Sequence, residues 1–489
     1  MIKIGNKVEK IQKNFWNHCI FHPTDAVEDA WGKRILDKMA EDKAIDTVRI
    51  YAMLEDIVYL DEDGNLAYDF RVNDVRLDYL VEKGFNVLIA YGMLPEIMAS
   101  DVNERSSVSK NKTRYKGKML YVSKPKNIEY WEEICYEYTK HIVERYGIET
   151  VSKWYLHCYN EPDVGCFFMR GATTEERVEE YFKLYHGFVA GILRVSDKLH
   201  FGGPALAILP EFLDGFLKKV KENNLRLDYI ALHNYADTEW RSALEKGFCV
   251  QDWLNVHENL CSVIEKNGFC DTEIVYDEWG MSANGYFNIE ECPAFIAREN
   301  EVFSAYYAKL IHEIIRKKYK IAKIMICLSG QHEMVTDFSG FRNFFTLNFI
   351  KKPIYNAYVL AGKLGNLLLE KESENENVFV VPTKKDNGDF ATLITYSDAK
   401  FTDNLPEIEE TVEFEQDISD KTVTIWCIDK EHTNPYRMFE KMGVEEPDEA
   451  QLKLLKEEGK MKPIKVQQGN EKITLKLTPN ATFLITVEA

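Results

Sequence analysis

Apolar strand-like runs alternate with amphipathic helical runs from residue 14 to 365, and beyond residue 377 the pattern changes to period two. These two observations predict an α/β protein, a (β/α)8 TIM barrel with a C-terminal antiparallel β-sandwich domain. A third agrees with them: polar residues fit for chemistry stand at the carboxyl ends of the strand-like runs, where such barrels carry their sites.

The first barrel strand is expected over 14–22, followed by helical spacing at Ile35, Leu36 and Met39. Residues 47–53 make the second strand. The turn residues Asp61-Glu62-Asp63-Gly64-Asn65 make 54–70 a hairpin excursion. A helix over 73–83 stops at Gly84, suited to a left-handed C-cap, and 87–91 is the third strand. The polar, basic stretch from Ser100 to Pro125 reads as a loop. A helix over 127–146 ends at Gly147 and leads into the fourth strand, Trp154-Tyr155-Leu156-His157-Cys158-Tyr159-Asn160-Glu161-Pro162. Pro162 lacks a backbone N–H and resists continuing a sheet.

A helix from Thr174 to Val195 follows, then Phe201-Gly202-Gly203-Pro204 as a short strand and turn, and a helix near 210–223. Strand six is 228–235. Helix 253–267 precedes the seventh strand, Ile274-Val275-Tyr276-Asp277-Glu278-Trp279-Gly280, and helix 295–317 with strand 323–328 completes the alternation. After a helix over 354–368, the charged run 370–377 reads as a linker. The expected division is a catalytic barrel over 14–365 and an accessory domain of 1–13 plus 370–489. Strands are expected there at 378–381, 390–396, 422–428, 472–477 and 482–487, with one helix near 449–458.

Composition narrows the function. The chain has 489 residues, 45% hydrophobic and 12% aromatic, enough for a packed interior and too many for one small core. A net charge of −19 argues against a nucleic-acid or anionic-membrane partner, which would need a basic face. No apolar run reaches membrane-spanning length and the first residues lack a signal-peptide core. The ten cysteines are scattered, without a C-x-x-C pair. Together these features favour a soluble, cytoplasmic protein with reduced thiols.

The chemistry is read from paired acids. Hydrolysing a glycosidic bond needs one group to protonate the leaving oxygen and another to meet the cationic transition state. Glu161, desolvated by Pro162 and aromatic neighbours, suits the proton donor; Glu278 suits the ionised partner. Arg49 on strand two, and His233 and Tyr235 on one side of strand six, could keep Glu278 charged. Asn160 stands beside the acid, placed to bond a substrate hydroxyl. Taken singly, each of these residues has a plainer reading, as a strand end, a core histidine or a structural ion pair. Their order on strands two, four, six and seven is what points to catalysis. His18 and His22 read better as a polar patch lining the barrel mouth than as a metal site. Cys158 reads as a small buried residue, and Gly202-Gly203 is too short for a phosphate loop.

This arrangement resembles the clan of retaining glycosidases that carry the acid/base after strand four and the nucleophile on strand seven. Within it the chain resembles glycoside hydrolase family 39, which includes β-xylosidases and α-L-iduronidases. The resemblance runs almost end to end, through Tyr68-Asp69-Phe70, Met93-Leu94-Pro95-Glu96, Tyr146-Gly147-Ile148-Glu149, Lys352-Pro353-Ile354-Tyr355-Asn356 and Ile428-Asp429 with His432, Asn434 and Met442-Gly443. It implies Glu161 as acid/base, Glu278 as nucleophile, and Asn160, His233, Tyr235, Arg49 and Tyr51 around the substrate. The departures are an acidic residue replaced by His157, a Trp replaced by Tyr159, a His replaced by Tyr51, and a strand-eight Trp missing at Ile326 or a neighbour.

The expected function is therefore a retaining, exo-acting, β-xylosidase-like glycosidase working by double displacement on short oligosaccharides or glycosides, with no metal or cofactor. Two alternatives stand beside it: a glycosidase for arabinose, galactose or a uronic acid, and a catalytically silent sugar-binding protein. The partner is a carbohydrate, and a homo-oligomer is compatible with the sequence.

Overall fold

The computed structural model describes residues 1–11, 14–22, 27, 29–106, 120–236, 247–283, 288–329, 334 and 336–489. Of the basic segment 100–125, residues 107–119 lie outside that set. Strand β1 (Ile2–Lys10) is followed by β2 (His18–His22), β3 (Thr47–Tyr51), the two-stranded excursion β4 (Val58–Leu60) and β5 (Leu66–Tyr68), β6 (Asn86–Tyr91), β7 (Tyr155–Cys158), β8 (His200–Leu206), β9 (Tyr229–Asn234), β10 (Glu273–Trp279) and β11 (Ile321–Ser329). Eight of these, β2, β3 and β6 to β11, close into a parallel barrel, with β11 pairing back onto β2 through Met325 and His18.

Local chemistry ends the elements where the sequence suggests. Gly84 takes φ +81° just past the helix Arg71–Glu82, and its N–H bonds Val81 O. The Asp61 carboxylate accepts from the Asp63 and Asn65 amides at 3.0 and 2.8 Å, closing the β4–β5 turn. Thr173 and Glu176 form a reciprocal capping box at the start of helix Thr174–Val195. Gly202 is a packing requirement of β8: a Cβ there would lie 2.2 Å from Tyr229 O.

Helices sheathe the barrel through one large apolar core. Its interior holds two small apolar clusters, one with Tyr229, Ala231, Val275 and Met325, the other with Ile20, Tyr51, Ala90, Tyr235 and Cys327. Buried among the inward-pointing residues are Arg49, His157, His233 and Asp277. Charge has been admitted to this interior beside the site, and Lys323 adds a cation nearer the foot of the barrel, by Thr47 and the Tyr155 ring.

The second domain is a separate nine-stranded, mostly antiparallel sheet. β12 (Leu367–Ser373), β13 (Val378–Lys384), β14 (Phe390–Tyr396), β15 (Ile408–Phe414), β16 (Thr422–Ile428), β17 (Pro463–Gln468), β18 (Ile473–Leu477) and β19 (Ala481–Glu488) join β1 in the order β17-β16-β19-β14-β13-β12-β1-β15-β18. It has its own core, drawing on Val423 and Ile425 at one end and Ile473 and Leu475 at the other.

Two readings of the sequence change here. Half of the expected linker is strand β12, with Lys3 opposite Glu372 and Ile4 opposite Lys371. Its period-two pattern was masked because a lysine occupies an inward position: Lys371 Nζ lies 2.5 Å from His312 Nε2 on the barrel helix Glu301–Arg316. The helix expected over 354–368 is Pro353–Ala361, shortened because the chain after Gly362 turns into β12.

Candidate active site

Strand β7 stops at Cys158, four residues before Pro162. What ends it is backbone geometry: Tyr159 and Glu161 adopt left-handed φ values of +65° and +47°. Such conformations cost about 1–3 kcal/mol each and persist only where neighbours enforce them. The neighbours are evident. Tyr159 N–H bonds Tyr91 O at 2.8 Å and Glu161 N–H bonds Ala205 O at 3.0 Å. Asp163 accepts from the backbone amides of Ala207, Ile208 and Leu209 at 2.8–3.0 Å, tying this turn to the start of helix Pro210–Glu222. Asn160 and Glu161 therefore sit on a braced turn above the strand, not in it.

Strand β10 carries the second acid through a β-bulge. Tyr276 pairs with Leu232 and Glu278 with His233, so Asp277 is one residue too many for the ladder. In a regular strand, successive side chains point to opposite faces. The bulge breaks that rule and lets both Asp277 and Glu278 reach the barrel interior.

All seven residues expected at the site converge there. Arg49 donates from Nη1 to Glu278 Oε1 at 2.7 Å and from Nη2 to Asn160 Oδ1 at 2.6 Å. Tyr235 donates its hydroxyl to Glu278 Oε2 at 2.6 Å, and Tyr51 lies 3.4 Å from Oε1. His233 Nδ1 meets Glu161 Oε1 at 2.7 Å. Glu161, His233 and Glu278 each offer one atom within 4.8 Å of the others, so carboxylate oxygens face each other across the mouth. The Glu161 side chain keeps 16% of its surface exposed and Glu278 7%, while Arg49 has none. The acids are reachable and their supports are sealed.

Electrostatics follows from this packing. Burial pushes the Glu161 carboxyl above its ordinary value, the charge of Glu278 pushes the same way, and His233 pulls against both. Burial alone would lower His233, but Glu278, Asp277 and the bond to Glu161 outweigh it and raise the imidazole to about 10. Both Tyr51 and Tyr235 are held well above the usual phenol range by burial, so each keeps its proton and can donate it. His157 goes the other way: burial takes it down to about 3, leaving it neutral.

Four contributors escape a sequence reading. Asp277 is hidden by the bulge, and Asp163 by acting on distant amides. Arg342, on the segment after β11, donates to the Tyr235 hydroxyl at 3.1 Å. Cys327, not Ile326, is the inward residue of β11: Ile326 packs outward in the helix-facing core, while Cys327 lies with Tyr51 and Tyr235. Tyr159 is fully buried, its hydroxyl on Phe167 O at 3.1 Å. His18 is not at the barrel mouth as expected: it opens β2 at the foot of the barrel, opposite Thr47, and burial keeps it neutral. Cys158 is buried as a small core residue. A metal ion at Glu161, His233 and Glu278 would have to sit beside the Arg49 guanidinium, and both Glu278 oxygens already accept hydrogen bonds. The donor set suits a neutral ligand bearing hydroxyls far better than a cation.

A closed parallel barrel with two acids facing each other over its mouth defines a class, the acid-pair glycosidases of this architecture. The description "Glycosyl hydrolases family 39" matches residues 2–469, and the chain belongs to that family. It is a glycosidase. A β-xylosidase from Caldicellulosiruptor saccharolyticus is 26% identical over 514 residues, covering 100% of this chain and 98% of that one. The human α-L-iduronidase is 27% identical over 160 residues, covering 30% of this chain and 23% of the human protein. A monomeric β-xylosidase structure from Caulobacter crescentus shares the fold with a TM-score of 0.83 at 18% identity, over 100% of this chain and 99% of that one. Among the described residues, no helix is long and apolar enough to cross a membrane.

Proposed function

We propose that the chain is a retaining, exo-acting glycosidase of the β-xylosidase type, with Glu278 as nucleophile and Glu161 as acid/base. The observation that carries this reading is the approach of the two acids, whose oxygens lie within 4.8 Å. Retaining enzymes hold their carboxyl groups about 5–5.5 Å apart, whereas inverting enzymes leave room for a water and need about 6.5–9.5 Å. In the first step Glu161 gives its proton to the departing aglycone oxygen while Glu278 attacks the anomeric carbon. In the second, Glu161 takes a proton from water as that water attacks the same carbon and releases Glu278. Arg49 and Tyr235 keep the nucleophile ionised and aimed. Asn160, held by Arg49, is placed for a hydroxyl on the carbon beside the reacting one. Similarity to the C. saccharolyticus β-xylosidase over the whole length of both chains supports xylose as the sugar.

A second sugar preference has its own observation. Tyr51 lies at Glu278, and the inward position of β11 is the small Cys327 rather than an aromatic ring. Both reshape the wall that receives the terminal sugar, which favours testing arabinosides, galactosides and uronides beside xylosides. The domain seam falls near residue 365, with 14–365 as the catalytic barrel and 1–13 plus 370–489 as the accessory sheet. Ten free cysteines support a reducing compartment such as the cytoplasm.

Glu278→Ala tests the assignment. Turnover of an aryl glycoside should fall by roughly 10⁴-fold or more, as for loss of other enzymic nucleophiles. Added azide should then restore part of it and yield a glycosyl azide of inverted configuration. Near-parent hydrolysis by the variant would remove Glu278 from the role.

A further inference from the structure

A buried carboxylate with no part in the mechanism above lies at the centre of the network. Asp277 is fully enclosed inside the barrel. Its Oδ2 stands 3.0 Å from Arg49 Nη2, 3.3 Å from His157 Nε2 and 3.6 Å from His233 Nε2. Arg49 is the group that meets Glu278, and His233 is the group that meets Glu161. One oxygen thus stands behind both supports.

The other groups facing Asp277 explain why it is needed. From β7, His157 brings no charge: Arg49 Nε approaches its Nε2 at 3.2 Å, so that nitrogen accepts and the ring is neutral. From β9 come His233 and the phenol of Tyr229, which burial keeps protonated. On β10 itself, Glu278 is already engaged with Arg49 and Tyr235. Without Asp277, the fully buried guanidinium of Arg49 and the imidazolium of His233 would have only Glu278 and Glu161 to answer them. Each would then draw a catalytic oxygen toward itself and away from the substrate. A buried cation lacking a dedicated counter-charge is also costly.

We propose that Asp277 is the positioning residue for both acids, its Oδ2 reaching from the β10 bulge to hold Arg49 behind Glu278 and His233 behind Glu161. This rests on the roles given above to Glu161 and Glu278. It goes beyond them in assigning a third carboxylate that touches no substrate.

Asp277→Asn preserves shape and removes charge. The kcat should fall roughly 10- to 100-fold, the scale of losing an outer-shell orienting partner. It should fall for both a dinitrophenyl glycoside, whose departure needs no proton, and an alkyl glycoside, whose departure does. The alkaline limb of kcat/KM should move to lower pH. Glu161 and His233 titrate as a pair, and deleting a neighbouring negative charge makes each of its protons easier to lose. A change in KM alone, or an unmoved limb, overturns the proposal. The double variant His157→Glu with Asp277→Asn returns the charge from the other side of Arg49 and should recover about tenfold of the lost rate.

If Asp277→Asn does not fold, Asp277→Glu keeps the charge but displaces it by one methylene. It should melt near the parent temperature yet lose kcat, and a parent-like kcat there overturns the assignment equally. NMR titration of the His233 ring gives a readout independent of turnover: its pKa should drop in the Asn variant, and an unchanged value counts against Asp277. A parent chain with no turnover on any glycoside would instead sink the roles proposed for Glu161 and Glu278, and the His233 titration would still decide the positioning role.

Discussion

Glu278 at the barrel mouth and Glu301 at the barrel–sheet seam are both buried carboxylates paired with arginine, and their surroundings differ in kind. Glu301 is completely enclosed and surrounded by donors: Asn434 Nδ2 at 2.8 Å, Arg437 Nε at 3.1 Å and Arg437 Nη2 at 2.6 Å. Asn434 also caps the helix Pro435–Met442, and Asp429 closes the preceding turn by accepting from the Glu431 and His432 amides. The Glu301 charge is answered directly by the Arg437 guanidinium. Glu278 also has its donors, but its remaining side faces Glu161, another carboxylate, across less than 5 Å. Two acids so placed raise each other's cost of ionisation. That repulsion does nothing for folding; under the proposed mechanism it is relieved as a positive centre develops between the two acids.

The seam still reaches the site indirectly. Tyr436 and Phe439 of the sheet domain pack on Phe338, with ring centroids 5.8 and 5.0 Å away. Glu299 accepts from Lys352 and from the Gly340 amide, both at 2.7 Å. Between these anchors lies Arg342, which donates to Tyr235, which donates to Glu278. The sheet domain thus packs on the segment that carries Arg342, and Arg342 leads through Tyr235 to Glu278.

The contrast can be broken or sharpened by mutation. The largest effect is expected from Glu161→Gln, at about 10³-fold in kcat on alkyl glycosides, within the range of general acid–base catalysis. Dinitrophenyl glycosides should lose far less in their first step. Because Glu161 must be protonated to act as acid and its pKa is raised, parent activity should persist above the ordinary carboxylate range and fall as pH rises through the shifted value. That limb should vanish in the Gln variant; its survival would assign it to another group.

Tyr235→Phe comes next. It deletes the hydrogen bond to a charged oxygen, worth about 1.5–3 kcal/mol, together with the one the hydroxyl accepts from Arg342, so kcat should drop roughly tenfold to a hundredfold with little change in melting temperature. An equal loss of stability and rate would place Tyr235 with the seam rather than the site. Glu301→Ala should do the reverse. Removing one partner of a buried pair costs about 3 kcal/mol, readable by thermal or urea unfolding, while kcat per folded molecule stays near the parent value. A large loss of kcat without unfolding would show the two regions to be more tightly coupled than their separate networks imply.

Much of this architecture was written in the chain as periodicity. The barrel strands announce themselves as short apolar runs, and Asn160-Glu161, His233-x-Tyr235 and Glu278 stand at their carboxyl ends. Strand β15 escapes a period-two reading because glutamates stand at both outward and inward positions, Glu409 and Glu413 exposed and Glu410 buried, and β17 because only Gln467 of its six residues is buried. The helix Pro435–Met442 was missed because only Pro435 of its eight residues is buried.

The sequence by itself determined the order of strands and helices, the acid pair and most of its supports, since these follow from alternation and from which residue types close each strand. Tertiary structure alone decided which way particular side chains point. A single extra residue in β10 turned Asp277 into the barrel, and Cys327 rather than Ile326 faced inward beside Tyr51 and Tyr235. Left-handed turns at Tyr159 and Glu161 lifted the acid off its strand. The physical reason is common to all three: a bulge, a strand's facing and a strained φ are set by what neighbouring strands and distant amides demand, and no local pattern of residues encodes those neighbours.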